Sequence, residues 1–237
     1  MTRPTAATAA KVTTVTTATT ATTATTAARE QTAREELANS ISHGIGFVLA
    51  IASLPMLLAF SSPKISAINI VAMCVFSATM MLLYGVSMLY HALPAGRGKA
   101  WLNRCDHAAI YLFIAGSYTP FALGVLRGGW GWSLFGVVWA MAVLGFTAKL
   151  LNRLQHPVWS TGLYVAMGWV AVVAAAPLVA RMPGAGLAWL VAGGLAYTVG
   201  AVVFMFDSRV RYAHFVWHLF VLGGSACHFI AVLRYAQ

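Results

Sequence analysis

The sequence predicts an all-α membrane protein, a seven-transmembrane helix bundle with its N-terminus in the cytoplasm and its C-terminus outside. Three observations carry that reading. The 237 residues are 60% hydrophobic and only 8% charged, against roughly 25% charged in soluble domains. Seven apolar stretches are each long enough to cross a hydrocarbon core of about 30 Å, which takes roughly 20 helical residues. Lys and Arg are also shared unevenly between the loops that join them. The stretches are continuously apolar rather than alternating, which favours helices over barrel strands.

Residues 1–34 form a tail, and residues 35–237 a helical body. The first 27 residues are almost entirely Thr and Ala, with no acidic residue and no apolar period. Such a stretch cannot bury enough surface to offset chain entropy and reads as disordered. It is acid-poor and carries Arg3 and Lys11, as a transit peptide would, but lacks the apolar core of a secretory signal.

The first span runs from about Ile41 to Phe60 and stops at Ser61-Ser62-Pro63. The second runs from Ile65 to Leu93, before a Pro/Gly-rich turn. The third opens at Asp106 and closes at Leu126, and the fourth runs from Trp130 to Leu151. The fifth starts after His156-Pro157 and ends near Ala180. The sixth covers Ala185 to Phe206 and the seventh Tyr212 to Leu233. Gly and Pro punctuate nearly every break.

With seven spans, the tail and the second, fourth and sixth loops share one side. They hold 11 of the 15 cations, and 7 against 4 when the tail is set aside. The positive-inside rule then places the N-terminus in the cytoplasm. The net charge of +10 sits in short loops rather than on a domain. Membrane lipids are therefore the expected partners and nucleic acid is not; the oligomeric state is left open. Cys74, Cys105 and Cys227 show no metal-type pair spacing and no disulfide framework.

Six of the seven histidines, His43, His91, His107, His156, His214 and His218, fall at span ends on the same side, with Asp106 beside them. Ionisable groups gathered at one depth of a bilayer mark a functional site. His228 lies deeper, ten residues past His218 or about 15 Å along a helix. His214 and His218 are four apart and share a helix face, as do Ser87 and His91. Three neutral imidazoles from two helices with one open position make a common zinc site. Asp106 is the candidate carboxylate beside it, since the only other acid in the body past the first span is Asp207.

Each of these residues has a second reading. Asp106 serves equally well as the N-cap of the third span. Ser87 can bond back to its own helix, and a histidine pair near an interface can be no more than interfacial polar groups. His107 and His156 have no spacing partner and read as interfacial.

At these residues the chain resembles a known family. The segments Glu36–Gly44, Ser87–His91, Asp106–Phe121 and His214–Phe229 are similar to the bacterial hemolysin III branch of the progestin and adipoQ receptor superfamily. The likeness covers about residues 35–235, in order. It implies a seven-helix bundle in the bacterial plasma membrane, with zinc near the cytoplasmic face. His91, His214 and His218 would be the metal ligands, and Asp106 and Ser87 the catalytic groups around the open position. Glu36, Asn39 and His43 also match family positions, where docking of the N-terminal segment and chemistry are both open. Two functions follow from the likeness. One is a zinc-dependent hydrolase of a lipid amide or ester, similar to ceramidases. The other is a non-enzymatic membrane-homeostasis or cytolytic, pore-type protein whose zinc is structural.

Overall fold

The computed structural model describes residues 29–236. The Thr/Ala-rich stretch read as disordered lies outside the described residues up to residue 28. The described residues contain helices and no strand, and seven helical stretches are long and apolar enough to cross a membrane.

α1 (Ala33–Ala59) begins well before the expected Ile41, because its start is fixed by a polar device rather than by hydropathy. Thr32 and Glu35 form a reciprocal capping box that satisfies amides otherwise left open at a helix start. α2 (Ala67–Ala92) starts from Ser66, whose side chain accepts from the Asn69 amide. α3 (Arg97–Pro120) continues through a π-helical turn, Phe121–Leu126. Pro120 offers no N–H and crowds the preceding turn, a usual cause of such widening.

α3 also corrects one expectation. The third span does not open at Asp106 but at Arg97, which puts Asp106 in the third turn. The polar run 97–105 is helical although it is not apolar, so hydropathy alone misses it. Asp106 is therefore not an N-cap.

α4 (Gly128–Leu150) is followed by a broken fifth span. α5 (Pro157–Trp169) passes into a 3₁₀ turn, Val170–Ala174, and then α6 (Ala175–Arg181). Pro177 in α6 removes one ladder donor. Irregular backbone at membrane depth must be satisfied by neighbouring protein groups. Here Tyr118 of α3 does so: its hydroxyl accepts from the Ala171 amide at 2.9 Å and reaches the Gly168 carbonyl at 2.5 Å. α7 (Gly184–Phe204) and α8 (Ala213–Tyr235) complete the bundle.

α3 is the most buried span; the fifth span and α7 are the least. α8 packs between α7 and α1, and α2 between α1 and α3. Close approach at the α1–α2–α8 seam depends on Gly46, where a Cβ would stand 2.8 Å from Leu222 and 2.9 Å from Tyr84. Small residues permit such contact between membrane helices. The starts of α1, α3, α5 and α8 and the ends of α2, α4 and α7 thus gather at one end of the bundle.

Candidate metal centre

At that end His91 from the last turn of α2 meets His214 and His218 from the first turns of α8. All three are buried, and their ligand atoms lie within 4.8 Å of one another. The ring centroids are 4.8–5.1 Å apart. The sequence singled out all three, His214 and His218 by their spacing and His91 by its depth and the family likeness; the fold brings their side chains together.

The Nδ1 atoms decide what the trio can do. His91 Nδ1 donates to Glu36 Oε2 at 2.7 Å, and His214 Nδ1 to Asp207 Oδ2 at 3.1 Å. A carboxylate only accepts, so both rings carry their proton on Nδ1. His218 Nδ1 lies 3.0 Å from Ser42 Oγ, which spends its own hydrogen on the Asn39 carbonyl at 2.8 Å. Ser42 therefore accepts from that ring too. Each histidine is left with a bare lone pair on Nε2, and all three Nε2 atoms are buried without a partner.

Three orphaned acceptors facing one another in a buried place are costly, and a cation among them would satisfy all three at once. Nδ1–H held by a carboxylate or hydroxyl is the arrangement that fixes the tautomer and orientation of metal-bound histidine. The donor set therefore fits a divalent metal.

Sequence reasoning missed the three orienting groups. Glu36 had a family match but no role, Asp207 was noted only as a remaining acid, and Ser42 only as part of a motif. Glu36 is itself held by Lys99 Nζ at 2.9 Å, and Lys99 caps the end of α2 by donating to the Tyr90 and Leu93 carbonyls. Replacing Glu36 with Gln or Asp207 with Asn is expected to weaken metal binding about 10- to 100-fold. Competition with a calibrated chelator measures this, and an unchanged affinity would deny these groups their role.

Asp106 lies on α3, and Ser87 lies on α2 one turn before His91. The Ser87 hydroxyl faces the Asp106 carboxyl, but no well-formed hydrogen bond joins them: Ser87 Oγ and Asp106 Oδ2 are both buried and unpartnered. Ser87 does not bond back to its helix, unlike Thr79 and Thr119, which do so to the carbonyls four residues earlier. His43 lies flat on His218, with ring centroids 3.4 Å apart, and neither of its nitrogens has a partner. His107 donates to the Asn103 carbonyl of its own helix, and His156 is the exposed residue before α5. Neither joins the trio.

A cavity of about 390 Å³ begins at His43 and Asp106 and runs along α3 as far as Leu126. That distance, twenty residues, is about 30 Å on a helix. Its wall is apolar apart from a few groups such as Tyr197 and His228. Val172, Val179 and Val191 line it and are each more than half exposed, so it opens sideways between the fifth span and α7.

A bundle of seven spans with a buried trihistidine cluster near one end of a lipid-facing cavity defines a class of multi-pass membrane protein. The chain belongs to the haemolysin-III related family, whose model matches residues 31–229. It is 42% identical over 204 residues to a Bacillus subtilis (strain 168) protein called "Hemolysin-3 homolog", covering 86% of this chain and 95% of that protein. It is also 42% identical to "Hemolysin-3" of Bacillus cereus, covering 86% and 93%. Human "Monocyte to macrophage differentiation factor" is 30% identical over 217 residues, covering 86% and 85%, and represents the more distant branch of the superfamily. No solved structure matches the chain significantly.

Proposed function

We propose that this protein is a zinc-dependent hydrolase of a lipid amide or ester in the bacterial plasma membrane, similar in kind to a ceramidase. The observation that carries this reading is a trio of bare Nε2 atoms set beside one end of a cavity open at its side, where His43, stacked on His218, and the unpartnered Asp106 form the lining. Ligand pockets are commonly about 300–1,000 Å³ and mostly apolar, and this one suits an acyl chain that arrives sideways from the bilayer.

His91, His214 and His218 would hold the metal through Nε2. When bound, zinc supplies a Lewis acid that polarises a carbonyl and lowers the pKa of water toward about 7. Asp106 Oδ2 accepts the proton that the attacking water loses and returns it to the leaving nitrogen or oxygen. Ser87 Oγ, left without a partner, donates a hydrogen bond to the substrate carbonyl. The cavity holds the chain and keeps bulk water from the reacting bond.

The test is fatty-acid release from a short-chain ceramide by protein in nanodiscs. Release should stop with a chelator and return with added zinc. A second reading rests on the name hemolysin of the Bacillus relatives and on the family likeness: a cytolytic or, alternatively, a membrane-homeostasis protein with a structural metal. Leakage of dye from vesicles without hydrolysis of any amide or ester would select it.

The proposed orientation puts the metal centre at the cytoplasmic face. In a background without the three native cysteines, Arg97→Cys should resist an impermeant thiol reagent in intact cells, and Arg127→Cys should react. The reverse pattern would turn the bundle over.

A further inference from the structure

α1 gives the trio no ligand, yet its first turns reach all three histidines. Glu36 holds His91 and Ser42 holds His218. The third connection is indirect and runs through Arg29 and Glu35. Glu35 is 2% exposed and its two oxygens close two helix starts at once. Oε2 accepts from the Thr32 amide at 2.9 Å, completing the α1 capping box, while Oε1 accepts from the Tyr212 amide at 2.8 Å, at the head of α8. Carboxylates are favoured at helix N-termini, where amides lack partners and the dipole is positive. Tyr212 itself sits in a left-handed conformation, φ 60°, two residues before His214. The loop thus makes a strained turn at the point that Glu35 grips.

Arg29 locks this arrangement. Its guanidinium binds Glu35 through two bonds of 2.8 Å, the paired geometry that suits arginine to carboxylates. The same side chain donates to the carbonyls of Asp207 at 3.4 Å and Val210 at 3.3 Å, and the Arg29 amide donates to Ser208 at 3.4 Å. Arg29 therefore takes hold of the residue whose carboxylate orients His214. The segment between the tail and α1 is tied to the one loop that supplies part of the centre.

We propose that Arg29 and Glu35 are positioning residues that govern how tightly the centre keeps its metal, by holding Asp207 and the head of α8 against α1. This rests on the metal reading above and not on hydrolysis. Freed of the clasp, the 205–212 loop loses its anchor, Asp207 no longer holds His214 Nδ1, and the ring turns away from the other two. The metal leaves faster although every ligand remains.

The experiment measures metal release to excess chelator from zinc-loaded, full-length protein, with thermal stability of the same samples. Arg29→Ala and Glu35→Gln should each speed release by about 10-fold, the lower end of what orienting groups contribute. Arg29→Lys should fall between, since it keeps the charge and loses the paired geometry. Deleting residues 2–28, which leaves Arg29 in place, should change nothing. Release at the wild-type rate from Arg29→Ala overturns the proposal, as does faster release that simply tracks a drop in melting temperature across all variants. Wild-type protein that binds no metal would sink this proposal and the metal reading together. Protein that binds metal with clasp-dependent release but hydrolyses nothing would sink only the hydrolase.

Discussion

Purified protein is expected to carry about one equivalent of zinc, and a His214→Ala, His218→Ala double variant essentially none. Truncating two of three ligands leaves His91 alone, and a lone imidazole does not hold a divalent ion at submicromolar concentration. Metal analysis of matched preparations reads the result directly, and equal zinc in both would refute the assignment. The structure adds a control. His107→Ala and His156→Ala remove histidines at the same end of the bundle, but one is tied to its own helix and the other is exposed. Both should keep full metal content. Loss of zinc there would mean that the metal sits elsewhere.

The histidine cluster was partly legible in the sequence because some of its signals are local. His214 and His218 lie one turn apart, and Asp106 is one of very few acids in an apolar chain. The groups that hold these histidines were not legible, because their distances in sequence are long. Glu36 acts 55 residues from His91, and Ser42 acts 176 residues from His218. No periodicity links such positions; only the packing of α1 against α2 and α8 does. Asp207 had a usable signal, being an acid in a short polar loop seven residues before His214. Helix boundaries failed where polar residues extend a helix past the hydrocarbon, as at Ala33 and Arg97. The break in the fifth span was not foreseen, although Pro177 stands just beyond it, and its satisfaction by Tyr118 is a tertiary fact.

The chemical role of Asp106 gives the largest effect expected from a single atom change. An N-cap reading would have made Asp106→Asn nearly neutral in every respect, since Asn caps as well as Asp. That reading is gone, because Asp106 lies in the third turn of α3, 2% exposed, with Oδ2 unpartnered. A buried charge without a full set of partners is a stability cost. Asn keeps the shape and removes the charge. The metal-free variant should therefore melt no lower than wild type, and a rise would fit the usual conflict between a strained site and stability. Turnover of a short-chain ceramide should fall by about 10²- to 10⁴-fold, the typical contribution of a general base. Zinc must be supplied in excess, because a group beside the metal also affects its affinity. The two readouts move in opposite directions only if Asp106 serves chemistry. A variant that loses stability and zinc together, or that keeps its turnover, would make Asp106 a structural group and remove the base from the mechanism.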